Sequence, residues 1–263
     1  MSDGITVKLD AGDFISKLVM WRTFSGQSIP EVLKKGARLA AVSLATATQP
    51  YGLGDDAKKM GQNAVSADIR KVYGSAAEIY GQLKSKNIHE ARGFWKAFQG
   101  GDYPAAEKIL RRVQLLDSST SIDRFDQGTA HRSQRNNRGR VSGKPGSRPH
   151  VMIVQKWNNV KKYSAVVQKR VGFAKSGWAA CARQLGNTRG IPGWVTRNKG
   201  PGFVIDHTSH ADHPSIGLVN EVAYIASILS QSEVDKAIRI TGDRIMREMK
   251  YEIAATRRKA GLR

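Results

Sequence analysis

The residues best equipped for chemistry stand in one short run, DHTSHADH, where His207, His210 and His213 recur three apart with Asp206 and Asp212 beside them. Neutral imidazole and carboxylate are competent ligands for a transition metal, and the same groups can exchange protons with a substrate. The run falls between two expected strands and reads as a loop, whose spacing alone does not impose a tetrahedral cage. An exposed or interface loop is therefore the favoured reading, and no metal or other cofactor is expected. Cys181 is the single cysteine and cannot form an internal disulfide. No His, Asp or Asn beside it completes a nucleophile signature, so it reads as a small apolar residue on a buried helix face. A phosphate-cradling Gly-rich loop ending in Lys-Ser/Thr, a nucleophile elbow and a paired-cysteine zinc pattern are all missing from the sequence. The chain is not expected to be an enzyme.

Charge is the stronger signal. The 263 residues carry 43 Lys+Arg against 22 Asp+Glu, a net charge of +21. Between Asp126 and Asp206 there is no carboxylate, while that stretch holds 16 basic residues. Six of them, Arg132, Arg135, Arg138, Arg140, Lys144 and Arg148, fall in a Ser/Gly/Asn/Pro-rich segment; among the other ten are Lys161, Lys162, Lys169, Arg170 and Lys175. So one-sided a field calls for an acidic partner, whether nucleic acid, a membrane surface or an acidic protein wall. The start MSDGITVKLD lacks the basic and apolar regions of an export signal, and no run approaches the ~18 apolar residues of a membrane span. With a lone cysteine, folding in a reducing interior is expected.

The elements that must carry these residues follow from periodicity. Ile5, Val7 and Leu9 alternate with polar residues as a strand does. Asp10 or Asp13 is placed to cap a helix bearing Phe14, Leu18, Val19 and Trp21. Pro30 suits the first turn of a second helix with an apolar stripe of Leu33, Ala37, Ala40 and Leu44, ended by Pro50 and Gly52. From 53 to 114 the pattern is that of a helical insertion. Ser75 is placed to cap a segment with Ile79, Tyr80 and Leu83, and Asn87 one with Ala91, Phe94, Trp95 and Phe98; Ala106, Ile109 and Leu110 mark a third. The aromatic trio falls on one helix face and reads as core.

Residues 115–149 almost lack apolar side chains after Phe125 and read as a flexible basic arm that orders on a polyanion. A strand over 150–156 and a long helix over 158–185, bent near Gly172 and Gly177, restart the ordered chain. Strands over 203–205 and 215–220 follow. A terminal helix carries Val234, Ile238, Ile245, Met249 and Ile253 behind a variant capping box of Ser232 and Asp235. The expected fold class is α+β: a small, mainly antiparallel sheet packed with long amphipathic helices, formed by 1–52 and 150–263, plus the insertion and the arm.

The opening strand and helix followed by SIPEVLKKGARLAAVSLATATQP, and later VGFAKSGWAACARQLG, IPGWV and SIGLVN, resemble the tail-completion or head-tail joining (neck) proteins of long-tailed bacteriophages. The resemblance spans roughly 150 residues in two blocks; the segment 54–149 departs from that family's compact form. It implies a virion structural protein assembled as a homo-oligomeric ring, with portal, connector or tail subunits as neighbours. DNA is a further possible partner and a membrane is not. The implied location is the neck or tail of the virion, with the host cytoplasm before assembly. A non-sequence-specific nucleic-acid-binding protein is the alternative.

Overall fold

A computed structural model describes residues 4–10, 28–114, 122, 131, 135, 140–141, 152–154, 156–210 and 214–259. Along the chain these form β1 (Ile5–Asp10), α1 (Ile29–Ala47), α2 (Asp55–Val72), β2 (Tyr73–Ser75), α3 (Ala76–Lys86), α4 (Ile88–Gln99) and α5 (Tyr103–Arg112). They continue with β3 (Met152–Val154), α6 (Trp157–Lys169), α7 (Phe173–Gln184), α8 (Gly193–Thr196), β4 (Gly202–His207), β5 (Ser215–Asn220), α9 (Ile225–Ile228) and α10 (Gln231–Lys259). The expected helix over Phe14, Leu18, Val19 and Trp21 lies outside the described residues. No described helix is long and apolar enough to cross a membrane.

The fold is α+β, and its residues divide into two compact units: Met1–Met60 with Val171–Arg263, and Gly61–Arg170. In the first, an antiparallel sheet in the order β1-β5-β4 pairs Ile5 with Asn220 and Gly202 with Asn220 on the opposite side. Every residue of β5 is buried, as a central strand requires. Helix α7 packs on β4 and β5, and α1 packs on α7 and α10. The approach of α7 is unusually close because Gly177 has no side chain. A Cβ there would stand 2.3 Å from the Asn220 side-chain oxygen. Asn220 is fully buried; its Nδ2 donates to the Ala174 carbonyl at 2.9 Å and its Oδ1 accepts from Val222 N–H at 3.1 Å. Thus SIGLVN and VGFAKSGWAACARQLG meet as packing partners.

Helix α1 starts as its sequence requires. Ser28 caps it in a reciprocal box with Glu31, and Pro30 occupies the first turn. Its buried face is wider than the expected stripe and adds Val32, Gly36, Leu39, Ala41 and Ala45, because α7 and α10 both lie against it. For α10 the cap is Ser230 with Glu233, not Ser232 with Asp235. Ser230 N–H donates to the Glu233 carboxylate at 2.7 Å, and Ser230 Oγ accepts from Glu233 N–H at 3.4 Å. Val234 and Met249 of α10 are buried as expected.

In the second unit α3, α4 and α5 enclose a core of Ile79, Leu83, Ala91, Phe94 and Leu110, with Trp95 and Phe98 packed at its margin. Ser75 and Asn87 cap α3 and α4 through their side chains. The division of the chain differs from the expected one. Strand β3 does not join the antiparallel sheet; it pairs in parallel with β2, Tyr73 opposite Met152 and Ser75 opposite Val154. Three-residue strands carry no readable alternation, so their partner was not legible. The expected long helix is also two helices, α6 and α7, parted at Gly172, whose φ of 92° is the left-handed conformation glycine adopts readily. Gly177 lies within α7 and does not break it.

Candidate polyanion-binding surface

Among the described residues, helix α6 presents the largest share of the expected partner-facing side chains. Trp157, Val160, Tyr163 and Val167 recur on one face and join a core of Ile69, Val72, Tyr73, Val141, Met152 and Val154. Tyr73 meets the Tyr163 ring edge-on at 6.3 Å, and Gln168 Nε2 donates to Ser66 Oγ at 2.6 Å. This anchoring turns Asn158, Lys161, Lys162, Ala165, Val166 and Lys169 outward, and Arg170 follows, exposed, at the C-terminal end. Helix α6 contains no carboxylate. No ion pair among the described residues involves Lys161, Lys162 or Arg170. At 1.5 Å per residue, Lys162 and Lys169 lie about 10 Å apart along the axis, on one stripe.

Of the arm residues, Arg132, Arg138, Lys144 and Arg148 lie outside the described ones. The described positions of 115–149 are structurally committed. Ile122 and Val141 are core residues, 1% and 2% exposed, and Val141 is buried although no other large apolar residue stands between Phe125 and Val151. Arg135 is exposed and bridges Val141 through its backbone. Arg140, expected to contact a partner, is engaged within the fold: its Nε lies 2.7 Å from the buried Asp68 carboxylate, which Lys71 also approaches at 3.4 Å. Lys71 Nζ donates to the Val141 carbonyl at 2.8 Å as well. Arg140 thus fastens this stretch to α2 instead of standing free for a partner. Buried His131 has Nδ1 at 2.9 Å from Tyr163 OH and 3.4 Å from Arg135 Nη2. Burial, and then the Arg135 charge, push its pKa down to about 4.

Lys175, also expected to contact a partner, lies inside the fold. It is fully buried in α7, and its Nζ donates to the carbonyls of Ala45 (2.5 Å), Thr48 and Gly52 (3.1 Å), where α1 ends. An ammonium has three protons to give, and the last carbonyls of a helix have no partner within it. Lys175 therefore serves as a C-terminal cap for α1, and burial pushes its pKa down to about 7. Neighbouring side chains complete this joint. Trp178 Nε1 donates to Thr48 Oγ1 at 3.1 Å, and Trp194 Nε1 to the Leu53 carbonyl at 3.1 Å. No helical-wheel reading of a lone lysine finds this arrangement. The available signal was the apolar crowding of its neighbours Ala174, Trp178 and Ala179.

The histidine run assembles no metal cage among the described residues. His207 and His210 stack at a tilt, 5.1 Å between centroids, and His213 lies outside the described residues. Asp206 serves the turn: its Oδ1 accepts from Thr208 Oγ1 at 2.6 Å and Thr208 N–H at 2.9 Å, and its Oδ2 lies 3.0 Å from Lys34 Nζ. The Thr208 hydrogen bonds, joined by Lys34, hold its pKa down at about 2. Cys181 is buried with its sulfur 3.3 Å from the carbonyls of Phe203 and Val219, and burial pushes its pKa up to about 11, away from nucleophilic thiolate. Comparison with known proteins finds no matching family model, no matching curated protein and no matching solved structure.

Proposed function

We propose that this chain is a structural protein of a phage neck or tail, assembling as a ring and turning its basic surface toward acidic subunits or DNA. The observation that carries the reading is the carboxylate-free stretch between Asp126 and Asp206, whose helix α6 turns Lys161 and Lys162 outward, with Arg170 at its end, outside any described ion pair. The resemblance of SIPEVLKKGARLAAVSLATATQP and the later blocks to neck proteins supplies the setting. In this reading the quoted blocks act in packing: Gly177 against Asn220, Lys175 and Trp178 on the end of α1, and Trp194 on Leu53. Identical rings need a rigid body with complementary surfaces, and charge opposite an acidic neighbour gives register and association rate.

The test is whether the chain co-purifies with intact particles and occupies ring-shaped density in averaged electron images. Absence from particles, with a monomer in solution, refutes the reading. The same basic surface suits a non-specific nucleic-acid-binding protein, and salt-dependent DNA binding by a chain absent from particles would favour that alternative. For the segment 115–149, Arg132, Arg135, Arg138, Lys144 and Arg148 are replaced together by Gln, and Arg140 is retained because of Asp68. Particle yield is expected to fall while the melting temperature holds.

A further inference from the structure

We infer that the solvent face of α6 takes the phosphodiester backbone of duplex DNA, not an acidic protein, and does so without reading sequence. The inference deepens the proposed function, on which it rests for its setting. Lys161, Lys162, Lys169 and Arg170 are exposed on or at the end of one helix that has no carboxylate. The other exposed side chains of α6 are Asn158, Asn159, Ala165 and Val166, and Val166, 53% exposed, is the one large apolar group among them.

That composition discriminates between partners. The buried centre of a protein interface is enriched in aromatic residues, Met and Arg and depleted of Lys. Here three of the four cations are lysines, and among the described residues of α6 no aromatic side chain is exposed. Lysine is a compact, strongly hydrated charge, suited to phosphate pairing that remains wet. Over the ~10 Å from Lys162 to Lys169 a duplex presents about six phosphates, so flexible lysine stems can find partners without an exact register. Lysine offers no acceptor and no fixed fork for a base edge, and phosphate pairing carries no sequence information. The face is also prepared in advance. Tyr163, Val167 and Gln168 hold the opposite side of α6 to its core, so only the side-chain tips must be ordered on binding.

The experiment uses the full chain and fluorescence anisotropy with a labelled 30-base-pair duplex between 50 and 300 mM salt. It compares wild type with the quadruple variant K161Q/K162Q/K169Q/R170Q, and adds poly-glutamate as a competitor. The log–log salt slope is expected to become shallower by about 2.7, at ~0.9 for each phosphate that Lys161, Lys162 and Arg170 no longer neutralise. Two unrelated duplex sequences should bind alike, and poly-glutamate should displace DNA only at large excess. The K161R/K162R/K169R variant, which keeps the charge, should retain the slope and report on the fold. An unchanged slope in the quadruple variant overturns the inference, as does poly-glutamate binding that matches DNA. A changed slope in a chain absent from particles refutes the neck reading and leaves this inference standing. An unchanged slope in a chain found in particles does the reverse.

Discussion

Replacing Lys175 by Met keeps an unbranched stem inside α7 and removes the ammonium that caps α1. Two opposed quantities set the outcome. Ala45 and Thr48 are fully buried, and leaving their carbonyls without a donor costs roughly 1–3 kcal/mol each, about 2–6 kcal/mol together. Against this, wild type carries the burden of a buried charge. Its pKa falls from 10.5 to about 7, which at ~1.36 kcal/mol per unit is on the order of 5 kcal/mol while both folded and unfolded chains are protonated. Near pH 6 the net effect of the substitution therefore runs from about 3 kcal/mol stabilising to about 1 kcal/mol destabilising.

The pH dependence is the sharper test. The folded pKa lies below the unfolded one, so the unfolded chain holds the proton more tightly and wild type gains stability as pH rises from about 7 toward 10.5. The neutral amine still donates to two carbonyls, whereas methionine donates to none. The stability difference between wild type and Lys175→Met should therefore climb by about 1.4 kcal/mol per pH unit between pH 7 and 10. Urea unfolding of both proteins at each pH measures it, and groups common to both cancel in the difference. A difference that stays flat through that window refutes the reasoning, because it means the three carbonyls hold the folded pKa near its ordinary value.

His131 makes the corresponding prediction on the acid side. Its folded pKa of about 4 lies below the ordinary 6.5, so its contribution is complete above pH 6.5 and is lost as pH falls toward 4, up to about 3 kcal/mol; His131→Phe should lack this component in acid unfolding curves. Gly177→Ala should destabilise by about 2–5 kcal/mol, since the added Cβ meets Asn220 at 2.3 Å and disturbs a fully buried, hydrogen-bonded amide. Gly81→Ala, on the exposed side of α3 with nothing within 4 Å of the new Cβ, should instead stabilise by about 0.5–1 kcal/mol; urea melts that rank the two alike would refute the packing argument.

Local chemistry was legible wherever it acts within a few residues. Ser75 and Asn87 cap α3 and α4, Pro30 opens α1, and Phe94 lies at the centre of its core, because caps and helix faces depend on neighbours three or four positions away. The charge asymmetry is likewise a property of the sequence alone. Tertiary structure decided which basic residues are available to a partner. Lys161 and Lys162 face outward because α6 has one buried side. Lys175 lies inside because α7 is packed both by α1 and by the sheet, so a charge on its polar-looking side meets the end of another helix instead of water. Arg140 is tied to Asp68, 72 residues away in sequence, and β3 finds β2 across nearly 80 residues. Pairings of that range depend on the whole fold: what the residue meets is set by where distant segments bury their apolar faces, which no local spacing records.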